Sequence, residues 1–268
     1  MKSWSTMLAA LWRFRGFVWS SVWREFSGRY RESLLGLLWS IAQPLTMIVI
    51  FVVIFSGLMR PTLDGHEDNP FAFSIHVCAG VMAWTLFSDM LGRLTTMFID
   101  RANLIKKSTF PRICLPAIVA LSSLLQFAII LALLLLFLAV IGHWPGLAIF
   151  WVIPLVALQL AFTLALGVLL GTANVFFRDI GQLISVVLQF WFWLTPIVYT
   201  TAALPEWLRS WLPLNPMQPL VAAYQRVFLD GLSPDPMSLL PLAMMSLLLL
   251  LLAARFFLSR VGELVDEL

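Results

Sequence analysis

Long apolar segments constrain this chain more than any other feature of its sequence. They lie at residues 37–58, 72–92, 113–141, 147–173, 181–200 and 237–257. An α-helix rises about 1.5 Å per residue, so about twenty residues cross the roughly 30 Å hydrocarbon core of a bilayer. The run from Leu131 to Leu136 does not alternate, unlike the strands of a transmembrane barrel. We therefore predict an all-α membrane protein with six transmembrane helices.

The composition and the basic residues support this interpretation. The chain is 61% hydrophobic and 12% charged, against roughly 45–50% and 25% in soluble domains. If the N-terminus is cytoplasmic, 14 of the 17 Lys and Arg residues lie on the cytoplasmic side, and Arg60, Arg209 and Arg226 lie outside. Cytoplasmic loops carry the excess of basic residues. We therefore expect both termini in the cytoplasm.

The first 33 residues have the pattern of a helix that lies along a membrane surface. Apolar side chains recur at spacings of three and four and share one helical face, while basic side chains share the other. The two sets are Met7, Leu11, Phe14, Val18 and Val22, and Arg13, Arg24 and Arg31. The pattern predicts a cytoplasmic interface helix, or a plain anchor attracted by anionic lipid. We assign residues 1–33 to this helix and 34–268 to one six-span domain.

A second unusual segment, at residues 204–230, separates the last two spans. It is too long for a turn and too apolar for a solvated loop, with Trp207 and Trp211 beside several prolines. Non-helical backbone lies within a bilayer only where it is buried in protein or lines water. We predict two short helices that re-enter the outer leaflet and cover the outer mouth. A hairpin on the outer surface is the alternative.

The sequence lacks the motifs of common catalytic and metal sites. None of its glycines is followed by lysine, so it has no phosphate-binding loop for ATP. Its three histidines lack metal-ligand spacing. Asp89 and Arg93 are four residues apart and are predicted to form a salt bridge, while Cys78 and Cys114 are predicted to be free thiols. We expect no catalytic residue, metal or cofactor in this chain; a membrane-embedded enzyme would need clustered acids or histidines at one face.

Five motifs extend over nearly the whole chain. The first, in REFSGRYRESLLGLLWSIAQPL at 24–45, is Arg-Tyr-Arg-x-Ser-x-Leu-Gly-x-Leu-Trp followed by Gln-Pro-Leu. The others are NLIKKSTFPRICLP at 103–116, NVFFRDIGQL at 174–183, LTPIVY at 194–199 and LNPMQPLVAAYQ at 214–225. The set resembles type-2 ABC transporter permeases of the polysaccharide-export group, which serves O-antigen, capsule and teichoic acid. It is most similar to the O-antigen exporters.

The resemblance implies a function and a set of partners. Such a permease is a homodimer in the bacterial inner membrane, surrounded by membrane lipids, and it binds no nucleic acid. Two separate nucleotide-binding subunits hold ATP and Mg and supply the energy. The dimer exports a polysaccharide linked to undecaprenyl diphosphate from cytoplasm to periplasm. The alternative cargo is a small amphiphile or drug.

Two groups of candidate residues follow for the cytoplasmic side. The resemblance makes the loop at 100–112 the coupling helix that docks on the ATPase, through Asp100, Arg101, Asn103, Lys106, Lys107 and Phe110. Alternatively, its cations only fix topology. The lipid diphosphate needs cations at the inner interface, and Arg24, Arg29 and Arg31 provide guanidinium groups suited to phosphate oxygens. These arginines are equally suited to anionic lipid or to the ATPase.

Aromatic side chains are the candidates for contact with the glycan. Sugar rings stack on aromatic faces through weak contacts that let a polymer slide. The candidates on the first and fifth spans are Trp39, Phe51, Phe55, Phe190, Trp191, Phe192, Trp193 and Tyr199. Phe190 to Trp193 are consecutive and point nearly all round the helix, so we expect some to face the dimer axis and others lipid. Interface belts and ordinary packing are the alternatives.

Overall fold

The computed structural model describes residues 12–28, 38–59, 63, 65–107, 111–260, 262 and 267. Within this part, the chain is helical and contains no β-strand, which confirms the predicted all-α class. The α-helices are α1 (Arg15–Gly28), α2 (Trp39–Val52), α3 (Ala72–Asp100), α4 (Ala102–Lys107), α5 (Cys114–Val140), α6 (Val152–Phe176), α7 (Asp179–Trp193), α8 (Glu206–Arg209), α9 (Met217–Gln225) and α10 (Pro236–Arg260). π-Helical turns extend α2 over Val53–Met59 and α9 over Arg226–Asp230, and a 3-10 turn at Gly146–Trp151 precedes α6.

Five helices among the described residues are long and apolar enough to cross a bilayer. They are Trp39–Met59, Ala72–Asp100, Cys114–Val140, Gly146–Phe176 and Pro236–Arg260. They correspond to five of the six predicted spans. The predicted fifth span, 181–200, is wrong at its C-terminal end, because α7 has only 15 residues and ends at Trp193. At about 1.5 Å per residue it reaches about 22 Å, less than a hydrocarbon core of about 30 Å.

The α7 helix ends early because side chains from elsewhere hold the following residues in a turn. Asn215 donates through Nδ2 to the carbonyl of Leu194 (3.2 Å) and to Oγ1 of Thr195 (2.9 Å). Pro196 follows, and proline disfavours helical backbone in the residue before it. Thr195 and Ile197 are fully buried. Apolar composition therefore continues beyond α7, but the helix does not.

Helix α3 lies at the centre of the bundle. It packs against α5, α6, α7 and α9, and most of its length is buried. The approach of α6 is very close, because Gly167 and Gly171 both face Leu94 of α3. A Cβ atom at Gly171 would lie 2.3 Å from the Leu94 carbonyl oxygen. These small residues, four apart, permit the close helix contact that is typical of membrane proteins.

The segment at 204–230 is folded against this central helix. Two short helices were predicted there, and the segment contains α8, α9 and a 3-10 turn at Leu212–Leu214. Tyr224 and Phe228 are fully buried. The Tyr224 hydroxyl donates to Oε1 of Gln159 in α6 (3.0 Å), and Nε2 of Gln159 donates to the Ala83 carbonyl of α3 (2.7 Å). Neutral hydrogen bonds thus join α9, α6 and α3.

Candidate functional site

One end of the bundle gathers ionisable side chains from several helices. Here α3 ends, α4 follows, α5 begins, α6 ends and α7 begins, and α1 packs against the start of α5. We call this the basic end, after its cations Arg93, Arg101, Lys106, Arg112 and Arg178. The opposite end carries the turn between α5 and α6 and the segment with α8 and α9.

Helix α1 is fixed to the basic end by an apolar face that carries one acid. Val18 and Val22 are buried against Cys114 and Ile118 of α5. Glu25 follows Val22 by three residues and therefore lies on the same helical face. Its Oε1 forms an ion pair with Nη2 of Arg93 in α3, and its Oε2 forms an ion pair with Nη2 of Arg101, which precedes α4. One carboxylate thereby joins α1 to α3 and to the residue before α4.

The predicted pair between Asp89 and Arg93 is confirmed, and it belongs to a larger cluster. Nη1 of Arg93 lies 3.3 Å from Oδ2 of Asp89 and donates to Oγ of Ser123 in α5 at 3.1 Å. Ser123 in turn donates to Oδ2 of Asp89 at 2.8 Å. We call Glu25, Asp89, Arg93, Arg101 and Ser123 the ion-pair cluster. Its two carboxylates balance its two guanidinium groups.

Sequence reasoning missed Glu25 and Ser123, although Glu25 had a signal. The positions of Phe14, Val18 and Val22 define an apolar stripe, and Glu25 is the acid that interrupts it. A charge on an apolar face requires a partner when that face is buried. Its partners lie 68 and 76 residues away along the chain, beyond the reach of local pattern analysis. Ser123 carried no comparable signal.

The predicted coupling loop contains one short helix, α4. Ile105 is buried and belongs to the same apolar group as Phe98 and Leu115, so it anchors α4 to the bundle. Asn103 and Lys106 are exposed. The side chain of Lys107 and all of Phe110 lie outside the described residues.

The two other predicted coupling residues contact this protein's own side chains. Asp100 accepts a hydrogen bond at Oδ2 from the Thr96 hydroxyl at 2.6 Å. Arg101 faces Glu25 rather than solvent. Its burial lowers the pKa of its guanidinium group, and neighbouring Asp100 opposes that change. Asp100 and the ion pair with Glu25 both favour the guanidinium cation of Arg101.

The structure describes one of the three arginines predicted to bind a lipid diphosphate. Arg24 is exposed on α1 and donates to Oγ of Ser21 at 3.2 Å. Arg29 and Arg31 lie outside the described residues. Arg24 lies next to Glu25 in the sequence but points to solvent, so the ion-pair cluster leaves its charge accessible.

The four consecutive aromatic residues of α7 divide between two environments. Trp191 and Phe192 pack on Trp84 of α3, with ring centroids 6.3 and 5.7 Å away. Nε1 of Trp191 also donates to Oδ1 of Asn215 at 2.8 Å. Phe190 and Trp193 are 68% and 64% exposed. These two therefore remain accessible for a ligand, lipid or second subunit.

The other predicted aromatic residues lie on α2 and after α7. Phe51 and Phe55 contact each other, and Phe55 packs on Phe73 of α3 with centroids 4.9 Å apart. Trp39 is 44% exposed at the start of α2. The Tyr199 hydroxyl donates to the Trp193 carbonyl at 2.6 Å, which fixes the turn after α7.

A cleft opens between α2, α3 and α5 beside the ion-pair cluster. Its volume is about 240 Å³, and Asp89, Ser123 and Gln126 line its polar part, while Met47 and Ile130 line its apolar part. Oε1 of Gln126 is buried and has no hydrogen-bond partner among the residues that the structure describes. The cleft therefore suits a small molecule with an apolar body and a hydrogen-bond donor.

The sequence of this chain is similar to those of known membrane transport proteins. The chain is 34% identical over 264 residues to the O-antigen export system permease protein RfbA of Myxococcus xanthus, covering 98% of this chain and 99% of that protein. It is 30% identical over 209 residues to RfbA of Klebsiella pneumoniae (78% of each chain). It is 21% identical over 238 residues to the polysialic acid transport protein KpsM of Escherichia coli (88% of this chain, 90% of that protein). The sequence profile of the ABC-2 type transporters matches residues 17–229, and the chain belongs to this family of membrane permeases.

Proposed function

We propose that this chain is the membrane subunit of an ATP-driven exporter of O-antigen polysaccharide. In this proposal the glycan is linked to undecaprenyl diphosphate and moves from the cytoplasm to the periplasm. The supporting observation is the similarity to RfbA of Myxococcus xanthus over 98% of the chain, because it extends through every helix described above. The energy comes from a separate ATPase that holds ATP and Mg.

The basic end is the cytoplasmic side in this proposal. Helices α1 and α4 and the C-terminal end of α10 lie there, and α7 together with the buried turn that follows it makes the crossing between α6 and α10. Asn103 and Lys106 of α4 are exposed and available for docking on the ATPase. Arg24, together with Arg29 and Arg31, receives the lipid diphosphate. A guanidinium group is suited to this role because its planar set of N–H donors matches phosphate oxygens.

The passage lies between two copies of the chain. Helix α3 fills the centre of one subunit, so a single subunit has no space for a polysaccharide along its axis. Phe190 and Trp193 on the exposed face of α7 are accessible for stacking on sugar rings. Trp191 and Phe192 instead position α7 against α3. Helices α8 and α9 cover the periplasmic mouth.

Deletion of the gene tests the cargo. Loss of long-chain surface polysaccharide, with accumulation of lipid-linked glycan in the cytoplasm, is the expected result. Arg24→Ala should reduce export while the permease still assembles with its ATPase, and Arg255→Ala, an exposed arginine on α10 to which the proposal gives no role, is the matched control. Unchanged surface polysaccharide in the deletion strain would contradict the proposal.

A small amphiphile is the second candidate cargo, and the cleft beside the ion-pair cluster favours it. Its volume of about 240 Å³ fits a small molecule and not a polymer. This candidate predicts that gene deletion changes tolerance to amphiphilic drugs and leaves surface polysaccharide unchanged. The same strain therefore separates the two candidates.

A further inference from the structure

We infer that Glu25 is a positioning residue for transport, which joins α1 to the α4 loop so that both move together. The inference rests on the proposed function, because it requires an ATPase that docks on α4. Glu25 uses its two carboxylate oxygens separately, Oε1 for Arg93 and Oε2 for Arg101. A displacement of the α4 loop is therefore transmitted directly to α1, the helix that carries Arg24.

The surroundings partly shield these ion pairs from water. The side chains of Glu25, Arg93 and Arg101 are 19%, 20% and 24% exposed, so water screens them only in part. Nη2 of Arg101 also donates a hydrogen bond to Oε2 of Glu25, and such a charge-assisted hydrogen bond is stronger than a neutral one. Without the carboxylate, Arg93 and Arg101 would repel each other across the junction of α3 and α4.

Both elements that Glu25 joins have their own attachment to the bundle. Val18 and Val22 hold α1 on Cys114 and Ile118 of α5. Ile105 holds α4 among the apolar side chains at the end of α3. The fold therefore does not depend on Glu25 to retain either element. What Glu25 adds is a link between them, and this distinguishes positioning from simple stabilisation.

The cluster also allows Glu25 to release its partners during a transport cycle. Arg93 has Asp89 and Ser123 as further partners. Arg101 lies beside Asp100, whose charge favours the guanidinium cation. Neither arginine would be left as an isolated buried charge, which is the costly outcome for a broken ion pair. The link can therefore open and re-form at low cost.

The test compares Glu25→Gln with wild type in the complete complex of permease and ATPase. Inverted membrane vesicles supplied with lipid-linked glycan report the glycan transferred and the ATP hydrolysed. We expect Glu25→Gln to assemble with the ATPase and hydrolyse ATP, but to transfer at least about five-fold less glycan per ATP, a typical size for coupling between sites. Glu67→Gln, an exposed glutamate in the turn before α3 at the opposite end, is the matched control and should behave as wild type.

A double-mutant cycle distinguishes coupling from stability. If the two side chains act as one link, Glu25→Gln with Arg101→Gln should lose no more transfer per ATP than the more impaired single variant. The inference would be overturned if the two substitutions lowered glycan transfer per ATP additively. It would also be overturned if Glu25→Gln transferred as much glycan per ATP as wild type. A result in which Glu25→Gln lowers only the amount of folded complex would overturn it as well. If wild-type vesicles hydrolyse ATP but transfer no glycan, the proposed function itself fails.

Discussion

The two ends of the bundle are held together by different interactions. At the basic end, two carboxylates and two guanidinium groups join α1, α3 and the α4 loop. At the opposite end, uncharged side chains join α9, α6 and α3, with Tyr224 and Gln159 fully buried. Ion pairs near the surface exchange partners and weaken with salt, whereas buried neutral networks with large apolar side chains are rigid. The comparison predicts a mobile basic end and a fixed opposite end.

Removal of the Tyr224 side chain should give the largest loss of stability. Tyr224→Ala leaves a cavity beside Phe127 and removes the hydrogen bond to Gln159. We expect about 3–5 kcal/mol of destabilisation, as for other large aromatic truncations. Tyr224→Phe keeps the ring and should lose about 1–3 kcal/mol, because the Gln159 oxygen loses its donor. Thermal unfolding of the purified permease in detergent measures both variants.

If Tyr224→Ala unfolded at the wild-type temperature, the prediction that the end with α8 and α9 is rigid would be wrong. A loss in Tyr224→Phe as large as that in Tyr224→Ala would show that the hydroxyl, and not the ring, carries the stability. In either case, the contrast between a packed apolar end and a charged end would need revision.

The close contact between α3 and α6 should give the next largest effect. In Gly171→Ala the new Cβ would meet the Leu94 carbonyl oxygen, which is backbone and cannot rotate away. The helices must separate, and we expect a loss of about 1–3 kcal/mol. Gly92→Ala is the control, since a Cβ there has no neighbour within 4 Å apart from its own helix. Equal unfolding temperatures for the two variants would contradict the contact.

This glycine contact shows which parts of the fold the sequence could predict. Hydropathy located five spanning helices, because bilayer thickness sets their length, but the prediction of 72–92 was wrong at its C-terminal end, since α3 continues to Asp100. The Asp89–Arg93 pair was predictable because both residues lie on one helix, four positions apart. The partners of Gly171 and Glu25 lie on other helices, far away in the sequence. Such contacts depend on how helices pack, which local patterns do not specify.

The end of α7 shows the same limit. The sequence remains apolar from Trp193 to Tyr199, so hydropathy extends the predicted span to residue 200. The helix ends because Asn215, more than twenty residues later, binds the backbone of the turn. The α7 aromatic residues were predicted to divide between the dimer axis and lipid, whereas Trp191 and Phe192 pack on α3 of their own subunit. Which of them face α3 depended on the position of Trp84.

Salt should affect the two ends differently, with a smaller effect than the substitutions above. Raising ionic strength screens the partly exposed ion pairs of Glu25. We expect faster hydrogen–deuterium exchange in α1 and α4 at 0.5 M than at 0.05 M salt, corresponding to about 0.5–1 kcal/mol, and unchanged exchange in α9. In Glu25→Gln the salt dependence of α1 should be lost. Equal salt dependence in α1 and α9 would show that charge does not distinguish the two ends.

The smallest effect is expected where a charge pair occurs at the opposite end. Nε2 of His66 lies 2.8 Å from Oδ1 of Asp230, and both side chains are about one-third exposed. Exposed pairs contribute only about 0–1 kcal/mol, so Asp230→Asn should lower the unfolding temperature slightly or not at all. Asp235→Asn, an exposed neighbour on the same side of the bundle, is the control. If Asp230→Asn lowered the unfolding temperature as much as Tyr224→Phe, the opposite end would also depend on charge. The hydrogen bonds of Tyr224 and Gln159 do not involve Asp230, so a neutral network alone would not explain such a loss.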